Sequence, residues 1–154
     1  MDKLPDQYRP EDFITVWEED GKWDDAALDI ESLRIPNLHA KYLRYLSMIR
    51  LKSKRLILKR KELLVILREY YLGNLNTTPQ MLEQLERPPM LHRHLKQDVL
   101  IQIEADSAIQ QLDDQLTTIN ESLAVLEEIL RSINNRGFQI KNAIDWRRLT
   151  NFTV

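Results

Sequence analysis

The spacing of apolar residues predicts one long helix in the second half of the chain. From Ala105 to Ile144, apolar residues and Gly137 follow each other at alternating intervals of four and three. A period of about 3.5 residues keeps one stripe on one helical face and is typical of a coiled-coil seam. We expect a weak point or kink at residues 134–137. We also expect the seam to mediate oligomerisation, through Ile109, Leu112, Leu116, Ile119, Leu123, Leu126, Leu130, Ile133, Ile140 and Ile144.

A second helical pattern lies in the first half of the chain. Its apolar seam consists of Tyr42, Leu46, Ile49, Leu56, Leu63 and Leu67. Proline disfavours the helical conformation of the residue before it, so Ile35-Pro36 should end a short segment at residues 24–34. Pro36 should then open the long helix. Gly73-Asn74 should stop it at about residue 72.

The remaining pattern predicts short elements. Pro10 followed by two acids should open a helix that ends near Asp20. Thr78-Pro79 should cap a short helix in a connecting region that reaches to about residue 96. Val99, Ile101 and Ile103 alternate over too few positions to separate a strand from a helix start. The fold class is therefore mainly α, with long helices at about 36–72 and 105–148.

Charge separates the chain into unlike segments although its net charge is only −2. Residues 1–35 carry net −7, whereas residues 41–61 carry nine bases and no acid. Uncompensated like charges at helical spacing destabilise a helix, which favours a polyanionic partner whose phosphates they would neutralise. The bases form two stripes beside the apolar seam. The candidate DNA-binding residues are Lys41, Arg44, Arg50, Lys52, Lys54, Arg55, Lys59, Arg60, Lys61 and Arg68.

Charge leaves several partners open. One interpretation of the bases is a DNA-binding surface. A second is a surface of a scaffold or adaptor that docks onto the acidic segment or onto other proteins. A third is a helix that lies on a membrane surface. The apolar stripe lacks Trp and Phe, which argues against lipid. The tyrosines at 42, 45, 70 and 71 have two interpretations, stacking on unpaired bases and core packing, and core packing is favoured for each.

Chemistry beyond binding has little support in the sequence. The chain has no cysteine, and the His92-x-His94 pair has only His39 as a further histidine, so we expect no metal site and no cofactor. No phosphate-loop, nucleophile-elbow or zinc-protease motif occurs, so we expect no enzyme. No apolar run of membrane-spanning length and no export signal is present, so we expect a protein that acts in a reducing cytoplasm and not at a membrane.

Three motifs in register resemble the UvsY-like recombination mediators of T-even-type bacteriophages. The stretch SINNRGFQIKNAIDWRR at 132–148 is similar to that family's C-terminal end, REYYLG at 68–73 to its tyrosine-pair helix end, and DVL at 98–100 to the start of its second long helix. The family places bases just before the tyrosine pair. Here residues 65–67 are apolar, so the resemblance carries over Arg68 alone.

The resemblance implies a role in DNA recombination, repair and replication in the cytoplasm of an infected bacterial host. It implies binding of single-stranded DNA and loading of a RecA-like recombinase onto DNA covered by single-strand DNA-binding protein. It also implies a ring-like homo-oligomer of about six or seven subunits, joined through the C-terminal region. The chain then divides into an acidic segment (1–35), a basic DNA-binding helix with its connecting region (36–104) and an oligomerisation helix (105–154).

Overall fold

The computed structural model of the chain describes residues 8–151, and these form helices and loops without a strand. Helix α1 spans Pro10–Asp20, as predicted. Pro10 occupies its first turn, and the Arg9 amide donates a hydrogen bond to the Asp12 carboxylate at 3.3 Å. After the helix, the Gly21 amide donates to the Trp17 carbonyl at 2.7 Å. The sequence therefore predicted both ends of α1.

Helix α2 spans Leu28–Tyr71 and runs through Pro36. The predictions that a separate segment ends before Pro36 and that Pro36 opens the basic helix are wrong. Proline removes one backbone donor and usually interrupts a helix. Here Leu28, Glu31 and Leu38 are buried on both sides of Pro36, which is itself exposed. Packing of that face therefore outweighs the loss of one hydrogen bond on the solvent side.

The region after α2 is a series of short helical turns. Gly73 has a φ of 77°, the left-handed conformation with which glycine terminates helices, so the predicted stop is confirmed. A 3-10 turn at Asn74–Thr77 and helix α3 at Pro79–Leu85 follow. Thr78 precedes α3 as predicted, but its side chain makes no capping hydrogen bond.

Helix α4 spans Val99–Glu104, which answers the open question of strand or helix in favour of helix. Helix α5 spans Ser107–Asn151 and continues without interruption through residues 134–137. Ala105, the first position of the predicted seam, is exposed and directly follows α4, so it lies outside α5. No helix among the described residues has the length and apolarity needed to cross a bilayer.

Among the described residues, the first of two compact units contains residues 8–52 and 118–151. Aromatic rings fill its core: Phe13 lies 5.8 Å from Tyr45, and Trp17 lies 5.4 Å from Tyr42 in an edge-on arrangement. From α5, this unit buries Ile119, Leu126, Ile129, Leu130, Ile133 and Ile140.

The second unit consists of Ser53–Thr117 and has two apolar clusters. One is formed by Leu67, Val99, Ile103 and Ile109, and the other by Tyr70, Leu75 and Leu82. The acidic, basic and C-terminal segments expected from the charge pattern therefore do not coincide with these units, because each long helix contributes residues to both of them. That functional division stays a prediction.

Candidate nucleic-acid interface

The basic residues of α2 that belong to the first unit are mostly engaged by other groups. The Lys41 ammonium lies 2.8 Å from an Asp20 carboxylate oxygen. Arg50 pairs with Glu127 at 3.0 Å, and the Lys52 ammonium lies 5.4 Å from the centre of the Tyr8 ring. Each partner is distant in sequence. The cations are therefore partly neutralised or covered by contacts that the charge pattern did not reveal.

Arg44 and most basic residues of the second unit lie in a different environment. Their side chains are exposed, and among the described residues no acid lies within ion-pair distance of them. On α2 in the second unit these residues are Lys54, Arg55, Lys59, Lys61 and Arg68. Fourteen residue steps separate the first from the last, which corresponds to roughly 21 Å along an α-helix. Five cations on such a length can contact successive phosphates of an extended strand.

Arg60 is the exception among the bases that α2 contributes to the second unit. Its guanidinium donates two hydrogen bonds to the Asp113 carboxylate, at 2.5 and 3.2 Å. These bonds raise the pKa of Arg60 and lower the pKa of Asp113. Arg60 therefore has a partner within the chain, in contrast to its neighbours Lys59 and Lys61.

Tyr42, Tyr45 and Tyr70 are buried, and Tyr71 is half-buried and packs against the core, so stacking of these rings on DNA bases is not supported. The Tyr42 hydroxyl donates to Asp20 at 3.0 Å, and burial together with this carboxylate raises the pKa of Tyr42. Tyr45 is 3% exposed. The Tyr70 hydroxyl donates to the Pro88 carbonyl at 3.1 Å. The favoured interpretation, core packing, is confirmed.

Sequence reasoning missed an ionic network behind the tyrosine pair. Arg87 donates to both Asp106 oxygens, at 2.5 and 2.7 Å, and the Tyr71 hydroxyl donates to the same carboxylate at 2.7 Å. The Ala108 amide donates to it at 2.9 Å, so Asp106 also caps the start of α5. Hydrogen bonds from Arg87, more than any other cause, lower the pKa of Asp106 to about 2. An aspartate directly before a helix was the available signal.

Arg136, in the motif that carries the family resemblance, is another buried charge. It is 6% exposed, and its guanidinium lies 5.1 Å from the centre of the Trp17 ring. One of its nitrogens donates to the Gly21 carbonyl. Burial, its largest influence, lowers the pKa of Arg136. The residue therefore holds α5 against the end of α1 and is not available to a phosphate.

The predicted oligomerisation seam lies in the interior of the chain. Ile109, Leu112, Ile119, Leu126, Leu130, Ile133 and Ile140 are buried, and Leu116, Leu123 and Ile144 are half-buried. Packing within one chain is sufficient to explain the spacing of the seam. The large apolar side chains that α5 does expose are near its end: Phe138, Trp146 and Leu149 are 69%, 68% and 66% exposed.

The described residues also contain no cluster of three or more histidine, aspartate or glutamate side chains arranged to hold a metal ion. His94, one member of the His-x-His pair, packs its ring 5.7 Å from that of Tyr71.

The family of recombination, repair and single-stranded-DNA-binding proteins named UvsY matches residues 16–152. This chain belongs to the UvsY family. Its fold is similar to that in a crystal structure of the bacteriophage T4 recombination mediator protein UvsY, with a TM-score of 0.74 and 23% sequence identity. The match covers 92% of this chain and 96% of the T4 chain. A comparison with curated protein sequences found no match.

Membership places this chain among proteins of DNA recombination, repair and single-strand binding, and the T4 structure shows that it shares the UvsY fold. The fit spans both compact units.

Proposed function

We propose that the protein is a recombination mediator that binds single-stranded DNA without sequence preference and promotes loading of a RecA-like recombinase onto DNA covered by single-strand DNA-binding protein. The observation that carries the proposal is a set of exposed cations on α2 that have no acid partner among the described residues: Lys54, Arg55, Lys59, Lys61 and Arg68. Lysine and arginine neutralise phosphates and release counterions whatever the base sequence.

The proposed phosphate contacts fall into two groups. Lys54, Arg55, Lys59, Lys61 and Arg68, together with Arg44, are the principal contacts because they are exposed and unpaired within the described chain. The secondary contacts are Lys41, Arg50, Lys52 and Arg60, since each must first leave a carboxylate or a ring.

Association of several copies would strengthen binding, because weak contacts on linked sites add as avidity. We propose that six or seven copies, as in the resemblance described above, associate through the exposed apolar side chains at the end of α5. Phe138 and Trp146 are both more than two-thirds exposed. The buried seam would instead support this surface from within. Light scattering of the wild type and of a Phe138→Ser/Trp146→Ser variant tests this: the mass should fall towards that of one chain.

The mediator function is tested by the time course of recombinase assembly on oligo-dT saturated with single-strand DNA-binding protein. Addition of the wild-type protein should shorten the lag before assembly. A Lys54→Gln/Lys59→Gln/Lys61→Gln variant should leave the lag long, whereas Lys22→Gln/Arg131→Gln/Lys141→Gln, with the same loss of charge elsewhere, should behave as the wild type. An unchanged lag with the wild-type protein would contradict the proposal and favour a scaffold that does not act on DNA.

A further inference from the structure

One face of α2 alternates charged and apolar side chains in the second unit. Its members are Lys54, Leu58, Lys61, Val65, Arg68 and Leu72, at intervals of four, three, four, three and four. Because an α-helix turns once in 3.6 residues, this spacing keeps all six on one side. Leu72 directly follows α2, and its amide still donates to the Arg68 carbonyl at 3.1 Å, so the helical geometry continues to it. We name this set the alternating face.

Two of the three apolar members of the alternating face are not core residues, whereas Leu72 is half-buried and packs against the cluster of Leu67, Val99, Ile103 and Ile109. Leu58 is 58% exposed and Val65 is 66% exposed, whereas Leu56 and Leu67, which face the interior, are 8% and 0% exposed. The helix already packs one face against the interior through Leu56 and Leu67. The exposed Leu58 and Val65 are therefore apolar surface that this packing does not use. Successive cations of this face are seven residues, or about 10.5 Å, apart, so each apolar side chain has a cation on either side along the axis.

The alternating face ends at a cavity. The cavity has a volume of about 200 Å³ and is lined by Arg68, Leu72, Lys96, Val99, Leu100 and Ile103. Its apolar wall comes from the end of α2 and from α4, and its two charged members are both cations. The same combination of apolar surface and positive charge is thus present both along the helix and at its end.

Single-stranded DNA matches this combination, because it presents phosphates together with unpaired bases. Duplex DNA presents the same phosphates but keeps the faces of its bases stacked inside the helix. We propose that the alternating face selects single-stranded over duplex DNA: its cations bind phosphates, while Leu58, Val65 and the cavity beside Leu72 cover unpaired bases. This inference rests on the proposed function and adds the residues that distinguish the two forms of DNA.

The acids near this face are consistent with a DNA ligand. On α2 within the second unit these are Glu62 and Glu69, which lie on the side of Leu58 and Val65 opposite Lys54 and Lys61. The Asn74 side chain donates to Glu69 at 2.6 Å, so this carboxylate is already engaged. The strand is therefore expected to follow the cationic side, with its bases directed towards the apolar side chains.

The test compares ligands as well as variants. A Leu58→Ser/Val65→Ser variant should bind an oligo-dT 30-mer about tenfold more weakly than the wild type, because two apolar contacts are lost. Its affinity for a duplex of the same length should change less than twofold, and its salt dependence should not change, because every cation remains. Fluorescence anisotropy measures all three.

Two controls make the outcome specific. Ile30→Ser/Leu33→Ser removes a matched pair of exposed apolar residues, 58% and 77% exposed, from the same helix in the other unit and should leave binding unchanged. A 30-mer with abasic sugars keeps the phosphates but lacks the bases. Wild type and Leu58→Ser/Val65→Ser should bind it equally.

Three outcomes would overturn the inference. If Leu58→Ser/Val65→Ser lost affinity equally for single-stranded, duplex and abasic DNA, the variant would have a general defect of the helix. No loss for oligo-dT would show that the apolar residues do not contact bases. Loss of association with an acidic protein while all DNA affinities persist would assign the face to a protein partner. Failure of the proposed function itself would appear instead as wild-type protein that does not bind oligo-dT.

Discussion

Both parts of the basic helix carry clustered cations, but the two sets differ in what surrounds them. In the first unit, Lys41 and Arg50 are paired with Asp20 and Glu127. In the second unit, the exposed cations from Lys54 onward have no such partner among the described residues. A run of positive charge in the sequence therefore predicts a binding surface only where no distant segment supplies acids to the same face.

Two acids of the second unit are held by partners other than its exposed cations. Arg87 and Tyr71 occupy Asp106, and Arg60 alone takes Asp113. The cation that pairs with Asp106, Arg87, lies outside α2, so the carboxylate is neutralised without engaging a cation of the binding helix. Substitutions of these acids and cations test the difference between the two units, and their expected effects on stability and binding are given from the largest to the smallest.

The largest effect is expected at the buried pair. An Asp106→Asn substitution should lower the free energy of unfolding by about 3 kcal/mol, since it removes the buried carboxylate and leaves the half-buried Arg87 guanidinium without its counter-ion. Urea unfolding measures this loss. An Asp113→Asn substitution, which breaks a more exposed pair, should cost less than about 1 kcal/mol and serves as the control.

The same carboxylate predicts a pH dependence. Its pKa is about 2 in the folded chain and 3.8 in the unfolded chain, so it contributes stability above pH 3.8 that is lost as the pH falls towards 2. The loss should approach about 2 kcal/mol. In Asp106→Asn this part of the acid destabilisation should be missing. A variant with the full wild-type loss between pH 4 and 2 would contradict the assigned role.

The next effect separates the two sets of cations directly. Lys54→Gln/Lys59→Gln/Lys61→Gln should weaken binding of oligo-dT roughly 30-fold at low salt, because three phosphate contacts are lost. Lys41→Gln/Arg50→Gln/Lys52→Gln removes the same charge but should weaken binding less than about fivefold, because those cations already have partners. Anisotropy titrations of both variants measure the ratio, and equal losses would remove the distinction between the units.

The smallest effect should make the first unit resemble the second. Glu127→Gln removes the partner of Arg50 at a site where both side chains are more than half exposed. Stability should change by less than about 1 kcal/mol, because exposed pairs contribute little. Affinity for oligo-dT should rise about twofold as Arg50 becomes available. A decrease would show that the pair positions the helix for binding.

Sequence patterns predicted the helical class, the limits of α1 and the end of α2 at Gly73, because these depend on neighbouring residues. They did not predict continuity through Pro36, which depends on burial of Leu28 and Leu38. Nor did they predict the Arg60 pair, whose acid is 53 positions away. The seam of α5 was visible in the sequence, but its burial within one chain was not, since the same spacing serves packing inside a chain and between chains.

The central claim is that the exposed cations of the second unit bind the phosphates of single-stranded DNA. The most direct measurement is the dependence of the oligo-dT binding constant on salt concentration. With about five phosphate contacts, the slope of log binding constant against log salt should be near −3.5, and Lys54→Gln/Lys59→Gln/Lys61→Gln should reduce it to about −1.4. A wild-type slope near zero, or the same slope in the variant, would contradict the claim.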